Sequence, residues 1–192
     1  KRTQRVSGCY SRISAFTIYE KAKTPSTTTH TFSTSSPEFQ SVVTLTAGVT
    51  NGATGVVTFK DSNENTLCTT GNLSASAASC TWTPSSIATY SISAVYAGDL
   101  TYSGSSSTAS SITVSKISQT ITFTDPSNQA FSNSTTDLSA TSNRGLTIVF
   151  SSLSPMICTV SGTSVTLISA GICQIAADQP GNSTYAAATQ VI

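Results

Sequence analysis

The sequence predicts an all-β chain: two tandem β-sandwiches preceded by an extended N-terminal segment. Three observations lead there. A closing motif occurs twice, as Tyr96-Ala97-Gly98-Asp99-Leu100-Thr101-Tyr102 and as Gln179-Pro180-Gly181-Asn182-Ser183-Thr184-Tyr185. The repeat this defines is roughly 80–90 residues, the size of one small sandwich. The stretches between are short alternating segments with turn residues roughly every 8–12 positions. No segment keeps a helical period over more than about ten residues, so almost no helix is expected.

Residues 1–25 form an extension. Residues 12–20 read as a strand, with Phe16 and Ile18 on one face and Ile13, Ala15, Thr17 and Tyr19 on the other. Both faces are mildly apolar, and such a strand wants cover on both sides. Pro25 and residues 26–29 read as a linker. The first module is assigned to residues 26–115. In it, residues 42–49 place Val43, Leu45 and Ala47 on one face, and residues 55–60 form the next strand, ended by the polar turn Asp61-Ser62-Asn63-Glu64-Asn65. Residues 66–70 and 77–83 read as a hairpin. Residues 89–96 alternate cleanly, with Tyr90, Ile92, Ala94 and Tyr96 sharing a face, and residues 111–115 close the sandwich, which is expected to have seven strands. The second module is assigned to residues 116–192. Its strands are expected at 120–123, 135–140, 146–151, 158–160, 164–168 and 172–177, with turns at Gly145, Gly162 and Gly171.

Charged residues are only 9% of the chain, against ~25% in an ordinary soluble domain. Ser and Thr, roughly a third of the chain, supply the polarity instead. The apolar fraction of 38% is enough to build a core. A net charge of +1, with no basic cluster beyond Lys1, Arg2 and Arg5, gives no sign of a nucleic-acid surface. No apolar run approaches the ~20 residues of a membrane span. Without an initiating Met or an apolar leader, the chain reads as a processed form or a portion of something longer.

Five cysteines stand at positions 9, 68, 80, 158 and 173. Cys68 and Cys80 flank the expected hairpin, and Cys158 and Cys173 bracket a similar span. One disulfide in each module is expected, which implies an oxidising compartment. Each closes a loop of about 13–16 residues, worth roughly 3 kcal/mol in the chain-entropy model. The spacings contain no CxxC and the chain has a single histidine, His30, so zinc is not expected. Cys9 is left over, either as a free thiol or as an intermolecular bond.

Chemistry is sparse. Residues 61–65 alternate oxygen side chains like a calcium loop but lack its glycine and its distal Glu, so a hairpin turn accounts for them. Asp99 is expected to cap its own turn. His30 sits in a Thr-rich stretch with no nucleophile signature nearby, and the eight acids are scattered. No catalytic site, metal or cofactor is therefore expected. Trp82 reads as a core ring beside a disulfide, with an exposed sugar-stacking ring as the alternative.

At these motifs the first module resembles the bacterial Ig-like repeats of large surface proteins. The resemblance rests on Thr54-Gly55-Val56-Val57-Thr58-Phe59 and on residues 96–102. The second module resembles a sister repeat, through Gln119-Thr120-Ile121-Thr122-Phe123, Cys158-Thr159-Val160-Ser161-Gly162, Ala170-Gly171-Ile172-Cys173 and residues 181–188. The resemblance implies an Ig-like sandwich in each module and an extracellular or cell-surface location. Its motifs are structural and carry fold better than function.

The expected role is a structural subunit or stalk segment of a surface protein or filament. The alternative is an adhesin module that binds glycan or a host protein through loops at a sandwich end. Expected partners are copies of the chain or neighbouring Ig-like modules. After Tyr185 only seven residues remain, so the last strand of the second module is expected to be short or missing. Residues 12–20, with Ile13, Ala15, Phe16, Ile18 and Tyr19, are then a candidate donor strand for another subunit, with Cys9 as a lock. A fragment whose missing strand lies downstream is the other reading of the same ends.

Overall fold

The computed structural model describes residues 21–131 and 135–192. Cys9 and the candidate donor-strand residues Ile13, Ala15, Phe16, Ile18 and Tyr19 lie outside the described residues. Fifteen strands and no helix are present among those described.

Eight strands belong to residues 21–115: β1 (Thr28–Phe32), β2 (Val43–Val49), β3 (Val57–Asp61), β4 (Thr66–Thr69), β5 (Ala77–Trp82), β6 (Thr89–Gly98), β7 (Ser103–Ser106) and β8 (Ser110–Thr113). One sheet has the order β1-β2-β5. The other runs β4-β3-β6-β7, with β8 also paired to β6. Period-2 alternation sends Val43, Leu45, Ala47 and Val49 of β2 into the core from one sheet. Val57, Phe59, Ile92, Ala94, Tyr96 and Ile112 meet them from the other.

The module has eight strands against the seven expected, and two further expectations for it need correction. Residues 28 and 29, expected in the linker, begin the edge strand β1, which pairs with β2 from Thr28↔Val49 to Phe32↔Leu45. Its inward positions are Thr28, His30 and Phe32, and the two polar ones hide the alternation. The cysteine segments are also not a hairpin. β4 pairs with β3, while β5 pairs with β2 in the opposite sheet. Between them Leu73 donates its N–H to Gly55 O at 2.7 Å, and Ser74 and Ala77 close a tight turn. Ala75 and Ser76 take positive φ there, which turns the chain onto the other sheet.

The Cys68–Cys80 disulfide therefore joins the edge strands of two sheets, with the Cα atoms 6.2 Å apart. The opposite edges, β1 and β7, are tied by hydroxyls. Thr28 Oγ1 and Ser26 Oγ each share a hydrogen bond with Ser105 Oγ at 2.7 Å.

Residues 116–192 carry β9 (Ile121–Phe123), β10 (Thr135–Asp137), β11 (Ala140–Ser142), β12 (Val149–Ser152), β13 (Cys158–Ser161), β14 (Ser164–Leu167) and β15 (Ile175–Asp178). The expected strand 135–140 breaks at Leu138: β10 pairs with β14, and β11 pairs with β9. Residues 172–174, expected in a strand, lie outside β15. The core is small, with Leu138, Cys158, Val165 and Ile175 buried. Cys158 is bonded to Cys173. This bond ties β13 to the segment that leads into β15, a strand of a different sheet.

Candidate functional site

The closing motifs build the same turn twice. Asp99 Oδ1 accepts the N–H groups of Thr101 and Tyr102, both at 2.7 Å. Asn182 Oδ1 accepts those of Thr184 and Tyr185, both at 2.8 Å. Asp99 N–H bonds Tyr102 O, and Asn182 N–H bonds Tyr185 O, each at 3.0 Å. Glycine precedes both because the backbone is left-handed there, with φ of 90° at Gly98 and 76° at Gly181. A Cβ at Gly98 would lie 2.8 Å from backbone atoms, and one at Gly181 only 2.5 Å.

Each turn holds an incoming strand in parallel. Thr24 bridges Tyr102, and Ile117 bridges Tyr185. The bonds correspond one to one. Thr24 N–H donates to Thr101 O and Ser103 N–H to Thr24 O; Ile117 N–H donates to Thr184 O and Ala186 N–H to Ile117 O. The match extends inward. Thr50 Oγ1 accepts Thr27 N–H as Asn143 Oδ1 accepts Thr120 N–H. His30 opposite Ala47 corresponds to Phe123 opposite Ala140.

Ile117 is also where the first module hands over to the second. Ser115 O accepts Phe39 N–H at 2.8 Å, and Ser115 N–H donates to Pro37 O at 3.0 Å, so the outgoing chain is clamped beside residues 37–39. The Glu38 carboxylate then reaches forward and accepts the N–H of Ser118 at 3.0 Å and its hydroxyl. The Ser118 hydroxyl, then its N–H, hold the Glu38 carboxyl below the usual carboxylate range. Arg144 Nε donates to Ser118 O at 3.3 Å while its guanidinium lies 5.9 Å over the Tyr185 ring. Lys116 Nζ donates to Asn182 O at 2.5 Å. Behind these contacts Gln119 and Gln179 are buried and bonded, Nε2 to Oε1, at 2.5 Å. Ser142 Oγ completes the set by donating to Gln119 Oε1 at 2.9 Å. Buried amides must be paired, so this network fixes one arrangement at the entry pole of the second module.

The other candidates of the sequence take structural places. Asp61 accepts Asn63 N–H, Asn65 N–H and Asn65 Nδ2 at 2.8–3.0 Å, so its oxygens serve the turn. Asp99 Oδ2 accepts Thr54 N–H and Oγ1 at 2.8 and 2.9 Å. The N–H groups of Tyr102 and then Thr54 hold the Asp99 carboxyl far below the usual range. Trp82 is 8% exposed and meets Tyr90 edge to face at 4.9 Å, as a core ring.

His30 Nδ1 lies 2.7 Å from Ser107 Oγ, and its Nε2 is buried with no partner. Ser107 Oγ also accepts Ala94 N–H at 2.9 Å. Burial pushes the His30 pKa down. A neutral imidazole held by a serine that serves the backbone is a packing device between β1 and the end of β7. Among the described residues no three His, Cys, Asp or Glu side chains converge as metal ligands.

Glu38, Gln119 and Gln179 were not singled out in the sequence. Glu38 has no motif around it. Gln119 and Gln179 leave a faint trace, since Gln179 stands where the first repeat has the buried Tyr96.

Residues 26–115, which hold β1 to β8, match the family profile described as bacterial Ig-like domain (group 3). No curated protein matches the chain. Among solved structures, the fibronectin(III)-like modules of Clostridium thermocellum CbhA are similar at 15% identity and a TM-score of 0.37, over 85% of this chain and 90% of that one.

Proposed function

We propose, for a chain whose first module belongs with the bacterial Ig-like domains, that it serves as a spacer segment of an extracellular bacterial surface protein. Ig-like domains of this kind are typical of such proteins. Two disulfides fit an oxidising exterior.

The observation that carries the reading is the junction. A flexible linker needs no contacts of its own, whereas this one is bonded on both sides. Glu38 reaches Ser118 from the first module, and Lys116 and Arg144 fix the strand to the second. A chain that spends polar groups on holding two modules pole to pole behaves as a strut. The hydroxyl-rich surface keeps such a strut soluble with few charges.

Small-angle scattering tests this. Two modules end to end, each about ten strand residues long, give a particle of roughly 70 Å. A single narrow distance distribution at that length supports the strut. A broad distribution, with the modules swinging freely, removes the basis for it.

A further inference from the structure

The sequence contains one Asn-Gly step, Asn51-Gly52, in the loop between β2 and β3. Both residues are exposed. A tight turn builds the loop. Ala53 N–H closes on Thr50 O at 3.1 Å, and Gly52 takes a φ of 87° at the third position, as in a type II turn. The second module has Arg144-Gly145 at the same place and closes its turn differently. There the glycine itself donates, from Gly145 N–H to Ser142 O at 3.0 Å. In the first module no hydrogen bond holds the Gly52 N–H among the described residues. Without a Cβ, the glycine leaves that nitrogen open to approach.

The Asn51 side chain is held by a different turn. Ser76 Oγ donates to Asn51 Oδ1 at 3.0 Å. Ser76 precedes β5, and its φ of 69° puts it in the left-handed region. The loop is pinned on both sides of the Asn-Gly step. The Tyr102 hydroxyl donates to Asn51 O at 2.9 Å, and the Asp99 carboxylate accepts the Thr54 N–H. The fold thus gathers three groups in one exposed loop: an unbonded backbone nitrogen, the side-chain amide one residue before it, and a hydroxyl on that amide's oxygen.

We propose that Asn51-Gly52 is a self-modification site, where the folded loop converts the Asn51 amide to an acid through a cyclic imide and Ser76 assists. Hydroxide removes the Gly52 amide proton, and the nitrogen attacks Asn51 Cγ. A C–N bond forms, and negative charge gathers on Oδ1, the atom to which the Ser76 hydroxyl already donates. The carbonyl re-forms and the bond from Cγ to the side-chain nitrogen breaks. That nitrogen takes a proton from water and leaves as ammonia, which regenerates the hydroxide. Water then opens the imide at either carbonyl. One opening gives an aspartyl residue. The other runs the main chain through the side-chain carbon and gives an isoaspartyl linkage. Each product adds one negative charge to the loop that Asp99 ties down. The isoaspartyl form also takes the carbonyl that Tyr102 holds out of the main chain and breaks the frame of the turn. The site goes beyond the spacer reading and does not depend on it.

The folded full chain is incubated at neutral and at mildly alkaline pH and followed by ion exchange, ammonia release and peptide mass mapping. An acidic species is expected to grow in step with ammonia, faster at the higher pH. Mapping should place the change at position 51, ahead of Asn182, whose Oδ1 is committed to two N–H groups. Aspartyl and isoaspartyl forms should both be recovered, since a cyclic imide opens both ways. Asn51→Gln, which would need a larger ring, should stay unchanged over the same interval. Ser76→Ala should slow the conversion about two- to tenfold, the worth of one hydrogen bond in a rate. Ser76→Gly suits the left-handed backbone there and should slow it alike. An acidic species that arises first at another asparagine overturns the proposal, and so does an aspartyl product without the isoaspartyl one. Conversion as fast or faster in both Ser76 variants also overturns it, because a site that is merely mobile would gain from losing that bond.

Discussion

Asp99 and Asn182 occupy one position in two copies of a turn, each using Oδ1 to accept the N–H groups two and three residues downstream. The two residues differ in what the rest of the side chain does. Asp99 also binds Thr54 through Oδ2, a contact an amide nitrogen cannot make to an N–H. The turn itself needs only one acceptor oxygen, while the tie to the 51–55 loop needs the second.

The first prediction separates these roles. Asp99→Asn should lower the melting temperature of the first module modestly, and Asp99→Ala should lower it more. The carboxyl is held below its ordinary value near ~3.9, so its contribution is present above that pH and is lost as pH falls through the folded-state value. Melting curves taken from neutral to acid pH should therefore fall less steeply below about pH 4 in Asp99→Asn than in the parent. Equal slopes in the two proteins would remove Asp99 as the cause. Asp61, also held below its usual range, keeps some acid sensitivity in both.

Glu38 gives a second prediction, about coupling rather than stability. Its bonds to Ser118 cross the junction at a partly exposed place, where such contacts contribute under ~1 kcal/mol. Glu38→Ala should leave the melting of each module nearly unchanged while widening the distance distribution between them. Because the Glu38 pKa is lowered, the parent should loosen in the same way on acidification below about pH 4 and the variant should not respond. A variant as narrow as the parent in scattering would show that Lys116 and Arg144 hold the junction without it.

Alternating cores were readable because the signal is local. Val43, Leu45 and Ala47 announce β2, and Tyr90 to Tyr96 announce β6, within one strand each. The repeated turns were readable for the same reason. What escaped depends on distant partners. β1 was hidden because its inward residues Thr28 and His30 are polar and bond Ser105 and Ser107, 77 positions away. The crossing between β4 and β5 reads as a hairpin because the eleven residues between the cysteines suit either geometry. The Gln119–Gln179 pair joins positions 60 apart, and its faint trace, Gln179 in the place of Tyr96, does not point to the partner.

The edge disulfide yields the third prediction. Replacing Cys68 and Cys80 with Ala frees β4 from β5, strands that share no backbone ladder. The chain-entropy cost is roughly 3 kcal/mol, which for a domain of this size lowers the melting temperature by well over ten degrees, at about 4–8 °C per kcal/mol. Exchange should quicken first in β4 and β5, with β2, β3 and β6 protected longer. Uniform loss of protection would mean that the bond supports the whole core and not one edge.

His30 supplies the last prediction. Its ring faces Phe32 at 4.8 Å and Phe59 at 6.2 Å, and Nε2 has no partner. Protonation would place a charged N–H against these rings, so the folded state prefers the neutral form and the pKa is lowered. The sign follows from the unfolded chain, where His titrates near ~6.5. Above that pH both states are neutral and stability is full. As pH falls below it, the unfolded chain takes up the proton first, and stability declines until the folded-state value is reached. The second repeat shows what the position accepts without a proton, since Phe123 stands there opposite Ala140. His30→Phe gives up the bond to Ser107 but leaves that hydroxyl its backbone partner at Ala94. The variant should lose the decline in stability just below pH ~6.5 that the parent shows in denaturant titrations, with little change at neutral pH. A parent whose stability is flat through this range would mean that the ring finds a partner for its second nitrogen when charged.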